Sequence, residues 1–417
     1  MKAIISPETK MKDSEVEYIG KIPIDWGKCR LKNVCTSFNS NITTNIINKE
    51  CGEYKIFGAS GLAGYIEYET MKNEYLGIVK DGAGVGRINS YPSHSSLLGT
   101  LAYIVPNAGI NMNWVKYIIQ NMNLGESIDK TTIPHIYFSS YGNNYIPFPS
   151  LPEQQVIADY LDNICSKIDE IIAEAKASID EYKELKQSVI FEAVTKGLDK
   201  SVEFIDSGDE WLGKYPKSYN IGQLSMLSNI VRGGSPRPAG DPRYYGGNIS
   251  FMRISDITKD DNIYVNSCEN TITEEGLTRT RMIPPNTLLL TNSGATLGVP
   301  KINTFETAFN DGIAAFLDFD ERLNIVYVYF FLKARTSYFL ECASMGMGQP
   351  NLNTDIIGRT KIVFPTLVEQ QKVVSYLEDR CGKLNSLIAE KESLINDLEA
   401  YKKSLIYEVV TGKRRVV

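Results

Sequence analysis

The chain has 417 residues, too many for one ordinary core, so two or three domains are expected. It is 43% hydrophobic and 23% charged, and its net charge of −6 and pI near 5.3 exclude a protein that grips a polyanion by bulk charge alone. A run of about 18 apolar residues, as a membrane helix needs, is missing, and the start MKAIISPETKMKDSE lacks the apolar stretch of a secretory signal, which points to the cytoplasm.

In chain order, the string DSEVEYIGKIP begins at Asp13 and leads into a first variable region, residues 22–150. This region is rich in glycine, asparagine, serine and aromatics. Short β-like runs at 75–80 and 100–105 flank a turn at Asp81-Gly82, and a short helix fits 114–120. The string DGAGVG, residues 81–86, has the wrong spacing for a dinucleotide or S-adenosylmethionine fingerprint, and no helical pattern follows it.

From residue 151 the pattern changes. Apolar residues at Ile157, Leu161, Ile164, Ile168, Ile171, Ala175, Ile179, Tyr182, Leu185 and Val189 recur in steps of three and four. That period over about 40 residues predicts a coiled-coil helix roughly 60 Å long. Pro149 and Pro152 bracket its start. Residues 151–210 also carry a net charge of −9, whereas 1–150, 211–366 and 367–417 each carry +1.

A second lead, DSGDEWLGKYP from Asp206, opens a second variable region that ends at residue 366. Its β-like runs are 286–291 and 361–364, with turns at Gly246-Gly247, Pro284-Pro285 and Asn310-Asp311-Gly312 and a helical segment at 325–334. Between 211 and 255, Lys214, Lys217, Arg232, Arg237, Arg243 and Arg253 face only Asp241, a local excess of the kind a phosphate-facing surface needs. The chain closes on a second periodic stretch with Val373, Leu377, Leu384, Leu387, Leu394, Leu398, Tyr401, Leu405 and Val409 in the seam.

The two helical stretches are copies of each other. FPSLPEQQVIADYLDNICSKIDEIIAE from Phe148 aligns without a gap to FPTLVEQQKVVSYLEDRCGKLNSLIAE from Phe364, and 20 of 48 aligned positions are identical at an offset of 216. The two leads match at an offset of 193. The plan is lead, variable region and long helix, repeated twice. It predicts an α/β (α+β) fold: two compact domains with irregular sheets, joined by two long antiparallel coiled-coil helices, in a pseudo-twofold internal repeat. The boundaries are 1–150, 151–205, 206–366 and 367–417.

Chemistry is hard to find in this chain. The seven cysteines are scattered with no C-x-x-C pair and read as free thiols. The two histidines, His94 and His135, have no cysteine pair at zinc spacing and no Ser or Cys context for a triad. DPRY, residues 241–244, lacks the second proline of an adenine methyltransferase motif, and there is no Walker A loop. A loop-rich domain in two copies without an active site suits a reader or a scaffold.

The duplicated FPxLxEQQ strings, the two leads, and RGGSPRPAGDPRYYGGNISFMRISDIT over residues 232–258 resemble type I restriction-modification specificity subunits. LLLTNSGATLGVPKI and IVKDGAGVGRI fit the glycine turn midway through each target-recognition domain of that family. KIFGASGLAGY in the first region departs from the GGSP…YYGG pattern of the second, which implies that the two halves read different half-sites. The resemblance implies a non-catalytic subunit that reads a bipartite asymmetric site in double-stranded DNA and docks two adenine methyltransferase (modification) subunits. It holds no cofactor of its own. S-adenosylmethionine is expected on the modification subunits, and restriction or translocase subunits are further partners. The helical rod would set the unread spacer, since groove faces recur about every 34 Å. A coiled-coil protein–protein adaptor without DNA specificity is the alternative.

Under this reading the DNA-facing candidates are Arg, Lys, Asn, Gln, Thr and His on loops. In the first domain they are Lys80 and Arg87, with Thr131 and His135 from the loop 130–135. In the second they are Arg232, Arg237, Arg243, Arg253, Asn292 and Gln349.

Overall fold

The computed structural model describes residues 10–68, 71–129, 133–344 and 352–416. By its internal contacts the chain divides into two units, Met1–Lys176 with Glu392–Val417, and Ala177–Lys391. Each unit holds one variable region and part of each long helix. Those helices run Leu151–Lys196 and Leu367–Val410. No helix among the described residues is long and apolar enough to cross a membrane.

Local chemistry explains where the long helices start and stop. The Ser150 hydroxyl and backbone N–H both donate to Glu153 Oε2, at 2.9 and 3.3 Å, tying the entry to the first turn. At the second helix the Thr366 hydroxyl accepts from the Glu369 N–H at 3.4 Å. Both helices end on a glycine in the left-handed region, Gly197 at φ +72° and Gly412 at φ +71°.

In the first unit the helix segments bury Ile157, Leu161, Ile168, Ile172 and Ala175 on one side and Ile395, Leu405, Ile406 and Val409 on the other. Ion pairs Asp169–Lys402 at 2.6 Å and Glu153–Arg415 at 2.9 Å fix their direction as antiparallel. In the second unit Ile190, Ala193 and Val194 share a core with Val373, Val374, Leu377 and Cys381. There Lys186 Nζ donates to Asn385 Oδ1 at 2.7 Å, and Gly197 lies beside Glu369, so this pair is antiparallel as well.

The seam is narrower than the periodicity suggested. Ile171, Leu185, Leu387, Leu394 and Tyr401 are 38–47% exposed. Pairing with a single helix covers one stripe, and these residues lie beside it.

The repeat extends into the sheets. In the first unit four antiparallel strands lie in the order Cys35–Asn39, Leu101–Pro106, Tyr75–Val79, Ile88–Tyr91. In the second unit Asn229–Arg232, Ile313–Leu317, Leu288–Thr291 and Pro300–Asn303 follow the same antiparallel order, and Tyr264–Val265 is added in parallel at the edge. A smaller sheet accompanies each: three strands around Tyr54–Gly58, and four around Tyr245–Met252. The strand Gly27–Arg30 pairs with Tyr145–Phe148, and Asn220–Gln223 with Lys361–Phe364, so each variable region closes on itself before its helix begins.

The predicted helix at 114–120 is Met112–Asn121, whereas the one at 325–334 runs on as Ile325–Ser344. Arg335 reads in sequence as a charged end to an apolar run. Here it is 4% exposed, with its guanidinium 4.6 Å from the Trp211 ring, 4.7 Å from Tyr338 and 3.3 Å from Asp209. Stacking and one ion pair let the helix continue through it.

Candidate nucleic-acid interface

The EQQ strings anchor each variable region to its helix. Gln154 and Gln370 are buried, at 1% and 0% exposure. Each side-chain oxygen accepts the backbone N–H of an asparagine that caps a domain helix, Asn111 at 3.1 Å and Asn324 at 2.8 Å. Each side-chain nitrogen donates back to the proline carbonyl of the FP string, Pro149 at 3.1 Å and Pro365 at 2.9 Å. The next glutamine bonds the side chain of the same asparagine: Gln155 to Asn111 at 2.7 Å, and Gln371 to Asn324 at 3.1 Å. The glutamates hold the residues just after each lead, Glu153 accepting from Trp26 Nε1 at 3.2 Å and Glu369 from Tyr219 Oη at 2.7 Å. Burial raises the Glu153 pKa, but bonds from Arg415, Trp26 and Ser150 outweigh it and leave the carboxyl below its usual range.

On this frame the first domain brings three loops together. The glycine turn after Tyr75–Val79 lies against the segment before the short helix Phe138–Tyr141. Gly82 N–H donates to the Pro134 carbonyl at 2.9 Å, and Ile136 N–H to the Lys80 carbonyl at 2.9 Å. Lys80 and His135 therefore sit side by side. Lys80 Nζ pairs with Asp81, and His135 Nε2 lies 3.4 Å from Asp129 Oδ2, with its ring edge-on to Tyr137 at 5.2 Å. Ile133 and Tyr137, 61% and 58% exposed, flank the histidine. Arg87 is exposed. It folds over Gly84, where a Cβ would lie 2.5 Å from its guanidinium, and donates to the Ala59 carbonyl at 3.3 Å in the turn of the KIFGASGLAGY hairpin. Thr131 lies outside the described residues.

The second domain has the same frame with different contents. Asn292 stands where Lys80 stands, and its carbonyl accepts from Leu352 N–H at 2.7 Å as Lys80 accepts from Ile136. Asn292 is fully buried and neither polar atom of its side chain has a hydrogen-bond partner among the described residues. Its side chain is closed off from the surface, whereas that of Lys80 is partly exposed. Gln349 lies outside the described residues.

The arginines of the second domain divide by how they are held. Arg232 is exposed and its Nε donates to the Asp311 carbonyl at 2.5 Å. Arg243 forms a two-pronged pair with Asp241, Nη2 to Oδ2 at 2.7 Å, which raises its own pKa and lowers that of the aspartate. Arg253 is half-buried, 5.8 Å from the Tyr245 ring and 6.0 Å from Phe251. Arg237 is exposed with no described partner.

Arg279 and Arg281, which stand apart from the other arginines in sequence, are brought by the fold to the Arg232 segment. A Cβ on Gly234 would lie 2.1 Å from the Arg279 carbonyl, and Gly234 N–H donates to Thr280 Oγ1 at 3.2 Å. The signal in the sequence was the alternation Thr278-Arg279-Thr280-Arg281, with no acidic residue inside it.

Comparison with known proteins bears on the family and the fold. The profile of the type I restriction modification DNA specificity domain matches twice, over residues 23–181 and 216–397. The MjaIX specificity subunit of Methanocaldococcus jannaschii is 29% identical over 174 residues, 40% of this chain and 40% of that protein. The HindI specificity subunit of Haemophilus influenzae is 23% identical over 217 residues, 50% of this chain and 45% of its own length. The chain thus spans less than half the length of the curated relatives it matches. A solved chain, described as the structural basis of complex assembly and conformational transition of the type I R-M system, superposes with a TM-score of 0.68 at 14% identity, covering 93% of this chain and 98% of that one. At that identity the likeness concerns the fold. With two profile matches that together cover most of the sequence, this chain belongs to the type I restriction modification DNA specificity family.

Proposed function

We propose that this chain is the DNA-specificity subunit of a type I restriction-modification complex, active in the cytoplasm and without catalysis of its own. The observation that carries the reading is the duplicated frame. In both units a glycine turn between equivalent strands is bonded to the residue two before a short helix through the same backbone contact, Ile136 to Lys80 and Leu352 to Asn292. Two like frames with unlike side chains suit a reader of two different half-sites. Lys80, Arg87, Thr131 and His135 serve the first half-site. Arg232, Arg237, Arg243, Arg253, Asn292 and Gln349 serve the second, with Arg243 and Arg253 held as fixed-plane readers.

Two modification subunits dock on the long helices and carry S-adenosylmethionine, and restriction subunits join the same complex. The exposed apolar residues support this arrangement. Ile171 and Leu387 are equivalent under the 216-residue offset, as are Leu185 and Tyr401, and all four are 39–47% exposed. The same apolar positions left open in both copies suit two copies of one partner.

The test is adenine methylation mapped along a genome with this chain co-expressed beside its cognate modification subunit, and with it omitted. A bipartite methylated motif that depends on the chain, and changes in one half only when residues 22–150 are exchanged, is the expected result. A stable complex with an active modification subunit but no chain-dependent methylation refutes the reading and favours an adaptor.

A further inference from the structure

We infer that Arg279 and Arg281 are phosphate contacts of the second half-site, positioning the duplex for the residues that read it. This rests on the proposed DNA-specificity role and adds two residues to it.

Three segments distant in sequence form one bonded framework. Gly234 N–H is shared between the Phe309 carbonyl at 3.1 Å and Thr280 Oγ1 at 3.2 Å, while the Thr280 hydroxyl donates to that same Phe309 carbonyl at 2.6 Å. Ser235 Oγ donates to Asp311 Oδ1 at 2.6 Å, and Arg232 Nε to the Asp311 carbonyl. The strand that follows, Met282–Ile283, is the edge of its sheet and pairs with Thr307–Phe309. Gly233 and Gly234 allow the close approach. A Cβ on Gly233 would lie 2.3 Å from the Phe309 and Asn310 carbonyls. The 232–237 and 279–281 segments therefore cannot separate without breaking these bonds.

This framework concentrates unpaired positive charge on an otherwise acidic chain. Arg232, Arg237, Arg279 and Arg281 are all exposed, and the last three engage no described partner. Asp311 is the acid within the framework, and it is occupied by Ser235. Glu274 and Glu275 are exposed on the preceding short helix, Glu274–Leu277, and their side chains bond none of these arginines. Base reading needs a guanidinium held in a fixed plane, as Arg243 is by Asp241 and Arg253 is over two rings. Arg279 and Arg281 have no such support. Long unsupported cations anchored on a rigid backbone suit phosphate oxygens, which accept from many directions.

The experiment uses the complete complex with its modification subunit and two duplexes, one bearing the methylation-mapped motif and one with that motif scrambled. Affinity is measured from 50 to 200 mM salt for wild type, for the double variant Arg279→Ala/Arg281→Ala and for Arg279→Lys/Arg281→Lys. Each lost phosphate contact lowers the log–log salt slope by about 0.9, so the alanine pair should lower it by about 1.8 and reduce the salt-induced loss by roughly tenfold. Weakening should be equal on both duplexes, the methylated motif should be unchanged, and the lysine pair should restore the slope. An unchanged slope with melting temperature intact overturns the inference. So does a changed motif, which would make these arginines base readers, or an alanine-pair defect explained by a lowered melting temperature and not rescued by lysine. Failure of the wild-type complex to bind or methylate the motif refutes the parent reading and this inference with it.

Discussion

Gln370 offers a direct test of how a recognition domain is fastened to its helix. Its side chain is fully buried and makes three hydrogen bonds: it accepts from Asn324 N–H at 2.8 Å and donates to the carbonyls of Arg322 at 2.8 Å and Pro365 at 2.9 Å. Gln370→Ala removes all three and leaves one donor and two acceptors, the Pro365 carbonyl among them buried, without this partner. At about 1 kcal/mol each, the loss is about 3 kcal/mol. Since 1.4 kcal/mol is a factor of ten, local opening should become about a hundredfold more frequent. Hydrogen exchange followed by mass spectrometry reads this directly. Peptides covering the first turn of Ile325–Ser344 should exchange about a hundredfold faster, while those covering Met112–Asn121, which depend on Gln154, should not change. Gln370→Glu keeps the acceptor for Asn324 but turns a carboxylate toward two carbonyls, so at pH 7 it should be at least as damaging as alanine. Less than threefold acceleration in the Gln370→Ala variant, or equal acceleration in both helices, refutes the anchoring argument.

Other expected outcomes follow from the same contacts. Gly197→Ala forces a side chain into φ +72° and against Tyr219 Oη, 2.2 Å from the new Cβ, and should cost about 1–3 kcal/mol in urea melting. The cost should shrink in a Tyr219→Phe background; equal costs in the two backgrounds would rule out the clash. Asp261 pairs with both Lys186 and Lys333, and although burial raises its pKa, the two ammonium groups outweigh it and leave the carboxyl below its usual value. A depressed carboxylate contributes stability that is present above its unfolded pKa, about 3.9, and is lost as pH falls through the folded value. The stability gap between wild type and Asp261→Asn should therefore be full at pH 6 and close below about pH 4; a gap that persists to pH 2 would show that charge is not its cause.

Much of the architecture was legible because helices write their packing into local periodicity. Steps of three and four marked both long helices, and the repeated EQQ strings exposed the duplication, since every residue of that string makes a specific bond at a helix entry. The periodicity overstated the seam at Ile171, Leu185, Leu387, Leu394 and Tyr401, because an apolar stripe looks the same whether one partner covers it or several do. It also stopped one helix too early, because a lone arginine in a sequence does not show the aromatic rings that will stack on Arg335.

The candidate interface was legible only in part. Lys80 and His135 were named from separate loops, and only the backbone bonds between those loops place them together. Asn292 was named for its side-chain chemistry, but it is the backbone of this residue that the fold uses, while the amide is buried. Arg279 and Arg281 went unnoticed because their neighbours, Gly234 and Phe309, come from segments dozens of residues away. By itself the sequence determined the helices, the twofold repeat and the chemistry available on each loop, since these depend on neighbours within a few residues. Which loops meet, which arginines stay unpaired and which polar groups are buried were decided by tertiary structure, because strand pairing joins residues that no local pattern relates.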